Sequence, residues 1–93
     1  MAHIKLNEFE ARIGKSDELN QFLESLIPYI RSSDGCITCE MVKHHKEPSK
    51  FSILEKWESE DAHKASIKNF PKDEFIYGLS LMSSPPKSRD WNS

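Results

Sequence analysis

One short stretch gathers most of the obvious chemistry, DGCITCEMVKHH at positions 34–45, with Cys36 and Cys39 ahead of His44 and His45. Such a set serves a zinc site, a redox pair, or a strand that happens to contain sulfur. Zinc ligands must converge on one ion at about 2.0–2.3 Å. Strand alternation would instead set Cys36 and Cys39 on opposite faces, roughly 10 Å apart. Cys36 and His44 would share a face but lie roughly 26 Å apart on an extended chain. No second C-x-x-C completes a zinc ribbon. A thioredoxin-type pair opens a helix after a strand, whereas this one follows a helical pattern and Gly35 and leads into strand-like residues. The expectation is therefore two free thiols on a strand, with no metal.

The elements around that stretch are legible from periodicity. HIKLNEFEARIG reads as a strand with Ile4 and Leu6 on one face and Phe9 and Ala11 on the other. The apolar phase thus slips near Asn7, as a bulge or a strand buried on both faces would require. Ser16 is the expected N-cap of a helix with Asp17 and Glu18 in its first turn, where the dipole favours acids. Leu19, Phe22, Leu23, Leu26, Ile27 and Ile30 then recur at helical spacing. Pro28 should kink or loosen that helix, and Gly35 ends it.

CITCEMVKH alternates Ile37, Cys39 and Met41 against Thr38 and Glu40, and FSILEKW sets Phe51, Ile53 and Trp57 on one face. The Pro-containing loop between them makes a hairpin. Ser59 caps a short helix, and Pro71 opens another that the prolines at 85 and 86 end. The tail has room for one short strand around Trp91. The order β-α-β-β-α-(α)-β is a ferredoxin-like α+β arrangement, read as one domain over 1–93 with its core in 1–86 and a tail or short strand in 87–93.

A chain of 93 residues, 37% hydrophobic and 30% charged, makes one small domain. A second subunit would add burial that it lacks alone. Thirteen basic and fifteen acidic residues give a net charge of -2, which speaks against nucleic acid or an anionic membrane as partner. Charges in the first ten residues do not suit a signal peptide, and no apolar run approaches a membrane span. The expected location is cytoplasmic, where cysteines stay reduced.

Several stretches together resemble the antibiotic biosynthesis monooxygenase (ABM) domain family: FEARIGKSDELNQFLESLIPYIRSSDGCITCEM, SKFSILEKWESEDAHKA and SSPP. The resemblance runs from about Ile4 to Pro86. Its most specific pieces are the helix entry at Gly14–Leu19, the acidic-Gly-Cys turn at 34–36, and the run Glu55–Ala62. None is a catalytic signature, so it implies fold and dimerisation more strongly than activity. Members are ferredoxin-like domains whose sheets pair across a homodimer as a β-barrel. Their activities include cofactor-independent oxygenation of phenols or quinols, haem degradation and isomerisation of a sugar phosphate.

The resemblance also nominates residues. Trp57 stands where the family places its strand-end Trp, as a ring platform or as core. His63 sits where many members have an aromatic and would be the proton acceptor if its helix faces the pocket. Its neighbours Asp61 and Lys64 suit an exposed helix face equally well. Asn7, seven residues before Gly14, matches a pocket Asn of the haem-degrading members and would donate a hydrogen bond. Phe51, Ile53, Phe75 and Tyr77 are candidates for the pocket lining.

Haem degradation is disfavoured, because the family's Trp position nine after Trp57 is Ser66 here and PKDEFIYGLSLM offers no axial His. Members with His at that same position also differ from this chain. The expected function is a homodimeric, cofactor-free monooxygenase of a small phenolic or quinol substrate. The alternative is a non-catalytic dimer that binds a small aromatic metabolite or serves a stress role.

Overall fold

The computed structural model describes residues 2–92, and Met1 and Ser93 of the 1–93 domain reading lie outside the described residues. The elements are β1 His3–Glu10, α1 Ser16–Ser32, β2 Cys36–Lys43, β3 Lys50–Trp57, α2 Glu60–Asn69, α3 Lys72–Ser80 and β4 Lys87–Asn92. Their order is the ferredoxin-like α+β one. The strands form one antiparallel sheet in the order β2-β3-β1-β4.

α1 supplies the apolar stripe that its spacing predicts. Leu19, Leu23 and Ile27 are buried and pack with Cys39, Phe51 and Ile53 of the sheet and with Ala11, Leu81 and Met82. Each fully buried Leu contributes about 1.5–3 kcal/mol. The helix begins one residue earlier than expected: Ser16 is its first residue, and Lys15 occupies the cap position without a side-chain cap. α2 starts as predicted, with Ser59 Oγ accepting the Ala62 N–H at 3.1 Å. α3 stops at Ser80, short of the prolines, because the chain must turn there to bring Met82 into a bridge with Ala11.

β1 runs without a register break from His3 to Glu10 against β3, so the apolar slip near Asn7 is not a bulge. β1 is an inner strand with apolar residues on both faces, Phe9 toward the helices and Ile4 and Leu6 away from them. The bulge lies instead in β2. Cys36 pairs with Trp57, Thr38 with Lys56 and Cys39 with Glu55, with the register shift between Cys36 and Thr38. Trp57 and Glu55 point the same way on β3, so the extra residue returns Cys36 and Cys39 to one face. The expectation that they diverge is corrected, and Ile37 is displaced to an exposed position.

Both cysteines are free thiols. Burial first, and the nearby Glu55 second, push the Cys39 thiol up to about 12 and raise Cys36 as well. Protonated thiols of this kind are inert toward exchange. Ahead of them, Gly35 has φ +86°, and a Cβ there would meet Ala62 of α2. The acidic-Gly-Cys turn is thus fixed by a conformation and a close approach that glycine alone satisfies.

Candidate functional site

A cavity of about 390 Å³ lies between the sheet and the three helices. Most of its wall is apolar: Phe22, Leu26 and Ile30 from α1, Ile67 and Phe70 around α2, Phe75 and Leu79 from α3, and Ile53 and Phe9 from the sheet. Tyr29 closes the α1–α2 seam. Its hydroxyl donates to the Ser66 carbonyl at 2.7 Å, and its ring meets Phe70 edge-on at 5.1 Å.

The polar end is built on the sheet. Asn7 and Lys5 from β1, Glu55 from β3 and Ser88 from β4 meet His63 from α2. Glu55 is 3% exposed, and each of its carboxylate oxygens takes one donor from a neighbour. Asn7 Nδ2 donates to Oε2 at 2.9 Å, and the Trp57 indole N–H donates to Oε1 at 2.8 Å. Ser88 Oγ–H donates to Asn7 Oδ1 at 2.6 Å, which fixes the orientation of the amide. Desolvation raises the Glu55 pKa above the usual carboxylate value, while the Trp57 and Asn7 donors and then Lys5 pull it back. Lys5 Nζ in turn holds Asp90 Oδ1 at 3.0 Å.

His63 is buried, so the reading of α2 as a wholly solvated face gives way here. Its Nε2 stands 3.9 Å from Glu55 Oε1, beyond hydrogen-bond reach. Burial first, then the charge of Lys5 and the neighbouring His3, lower its pKa to about 4. The imidazole is uncharged near neutral pH, and by the acidity at which it protonates, Glu55, whose pKa is raised, already carries its own proton, so the contact is not an ion pair at either extreme.

The structure brings His63, Asn7, Ile53 and Phe75 to this cavity. It does not bring the others. Trp57 is 0% exposed and acts on the site through Glu55, so its position gives a ligand no ring to stack on. Phe51 lies in the core and borders a separate small groove with Lys50 and Glu10. Tyr77 is exposed and packs edge-on against Phe22 at 5.9 Å. His44 and His45 are exposed in the hairpin loop. Among the described residues no three His, Cys, Asp or Glu side chains gather as metal ligands.

Glu55, Lys5 and Ser88 are the residues that sequence reasoning missed. The signal for Glu55 was present, since it falls in phase with Ile53 and Trp57 on the inward face of β3. An acid at an inward position between two core residues is a site candidate in its own right.

Fold and cavity together define a small ferredoxin-like domain that holds a ligand-sized, mainly apolar cavity with one polar end. Residues 2–69 match the sequence model of the ABM family, antibiotic biosynthesis monooxygenase, and the chain belongs to that family. Its fold is similar to solved structures of low identity. A protein from Methanosarcina mazei Go1 superimposes with TM-score 0.88 at 18% identity, covering 99% of this chain and 92% of that one. A protein from Shewanella oneidensis gives 0.87 at 23% identity over 97% and 88%. SnoaB, a cofactor-independent oxygenase from Streptomyces nogalater solved in a mutant form, gives 0.83 at 11% identity over 99% and 92%. Comparison of the sequence with curated proteins finds no match.

Proposed function

We propose that the chain is a cofactor-independent monooxygenase acting on a small phenolic or quinol-type aromatic. The observation that carries this reading is the cavity: an aromatic-walled chamber of about 390 Å³ whose single polar end holds a buried carboxylate and a neutral imidazole. A ring fits the apolar wall, and its hydroxyl falls to the polar end. Membership of the ABM family and the fold shared with SnoaB support the same reaction class.

A deprotonated hydroquinone is electron-rich enough to reduce dioxygen directly. One hydroquinone and one dioxygen balance as one hydroxyquinone and one water, with the substrate supplying all the electrons. The protein's task is to bind the ring, favour the anion and exclude water. Phe22, Phe70 and Phe75 supply the grip in this geometry. Oxygen uptake with a panel of benzo- and naphthohydroquinones tests the proposal. Uptake above buffer, with a product heavier by one oxygen and lighter by two hydrogens, is expected. No uptake above buffer across the panel removes the enzyme reading. Saturable binding without uptake selects the non-catalytic alternative, which draws on the same cavity.

We further propose that the domain works as a homodimer. The sheet face away from the helices presents Leu6 opposite Leu54 and Ile4 opposite Trp91, with Val42 nearby. Leu54, Val42 and Trp91 are exposed, and apolar residues gathered on one face mark an interaction surface. A second copy burying the same face supports closure of the two sheets into a barrel. Light scattering at micromolar concentration should give twice the mass of the chain, and Leu54→Asp should reduce it to one. A monomeric wild type refutes the dimer.

A further inference from the structure

We propose that the Glu55 carboxylate receives the hydroxyl of the cavity's ligand, accepting its hydrogen bond on binding and its proton on oxidation, and that Asn7 and Trp57 are positioning residues for it. This rests on the reading of the cavity as a phenol or quinol site. The geometry favours Glu55 over His63. Each carboxylate oxygen takes one donor from the protein, Trp57 Nε1 on Oε1 and Asn7 Nδ2 on Oε2. Each oxygen therefore keeps a lone pair for a ligand. Glu55 borders the cavity although it is 3% exposed, so a ligand in the chamber is placed to reach that lone pair.

The chain Ser88–Asn7–Glu55–Trp57 crosses β4, β1 and β3. It therefore orients the carboxylate against the rigid sheet and not on a loop. On transfer the ligand O–H bond breaks, an Oε–H bond forms on Glu55, and the electron pair stays on the ligand oxygen. The oxyanion then lies beside Lys5, which is paired with Glu55 across the β1–β3 ladder and also borders the cavity. Dioxygen, the co-reactant of the oxygenase reading, takes the electrons afterwards.

Other titratable groups near Glu55 do not compete for the proton. Cys36 and Cys39 on β2 hold their thiol protons. Asp90 on β4 is engaged by Lys5, and His3 of β1 lies 3.6 Å from Asp90. His63 of α2 is already a weak base, with its pKa lowered to about 4. A carboxyl raised by burial is nearer to the working range of a general base.

The test compares naphthol with its methyl ether, methoxynaphthalene, which has the same ring and no proton to give. Wild-type protein near neutral pH should bind naphthol about tenfold or more tighter than the ether, as a hydrogen bond to a charged acceptor gives. In Glu55→Gln that preference should fall below about threefold. A second measurement needs no variant at the acceptor. In wild type the preference should vanish as pH falls through the raised Glu55 ionisation. His63→Gln, whatever it does to affinity, should leave that midpoint in place. Oxygen uptake with hydroquinones should drop by roughly 100-fold in Glu55→Gln.

Equal affinity for the two probes in wild type, or a midpoint that moves with His63→Gln, overturns the inference. Uptake and naphthol preference that both survive Glu55→Gln do so as well, and leave the oxygenase reading standing. An intact, Glu55-dependent preference without uptake supports Glu55 as the hydroxyl acceptor and removes the oxygenase reading alone.

Discussion

Trp57→Phe should lower the unfolding free energy by roughly 2–4 kcal/mol near neutral pH, although the indole has no exposed surface for a ligand to touch. Two costs add. Phe is smaller than the fully buried indole, so part of the space is left as a void. The larger cost is polar: Phe cannot replace the N–H that donates to Glu55 Oε1 at 2.8 Å. A hydrogen bond to a charged acceptor is worth about 1.5–3 kcal/mol, and more is lost when the acceptor is buried and has few alternatives. In the variant Asn7 Nδ2 is the remaining donor to the carboxylate among the described residues.

The pH dependence separates the two costs. The indole donor holds the Glu55 pKa down against desolvation, so its loss raises that pKa further. At neutral pH the variant must either keep a poorly solvated anion or take up a proton. Below the ordinary carboxyl value of 4.5 Glu55 is protonated in folded and unfolded chains of both proteins, and the polar part of the penalty disappears. Urea unfolding followed by circular dichroism should therefore show a stability difference that shrinks on acidification. A difference that stays constant with pH would mean that Trp57 acts by volume alone, and the carboxylate is not supported as described.

The sequence made the frame legible and hid the site for related reasons. The stripe Leu19–Leu23–Ile27, the cap at Ser59 and the alternation of Phe51, Ile53 and Trp57 are local signals. Each depends on residues a few positions apart, so periodicity finds it. The β2 bulge is not local in that sense. Whether Ile37 is an extra residue depends on its partner strand, and only the pairing with Trp57 and Lys56 reveals it.

The polar end of the cavity is less local still. Asn7, Glu55, His63 and Ser88 meet because β1 lies between β3 and β4, with α2 folded back over them. Strand order is set by tertiary packing, so no spacing in the sequence announces it. Glu55 was also masked by its type. Charged residues on a strand are ordinarily placed in solvent, and that expectation outweighed the inward phase that Glu55 shares with Ile53 and Trp57.

Acidification should destabilise the wild-type fold through His63 by about 3 kcal/mol, and His63→Leu should abolish that share. In the unfolded chain the imidazole protonates near its ordinary value of 6.5, whereas in the fold it resists protonation until about 4. Between these values the unfolded state binds the extra proton and the folded state does not. The favourable balance is fully present above about 6.5 and is lost progressively as pH falls to about 4. Below that the folded ring also protonates and the loss levels off. The side chain is 7% exposed, so solvent screens the effect little.

Glu55 works in the opposite sense, since its raised folded pKa is a cost at neutral pH that acid relieves. The wild-type curve is therefore the difference of two terms, and the comparison with His63→Leu isolates one. Leu fills similar space, and among the described residues no hydrogen bond to the His63 ring is broken by the change, so near neutral pH the two proteins should be close in stability. On titration to about pH 4.5 they should diverge, with the Leu variant the more stable. Parallel curves would mean that the imidazole titrates at its ordinary value in the fold. A ring buried against Trp57 and Glu55 cannot do that, and the burial of His63 at the polar end of the cavity would then have to be abandoned.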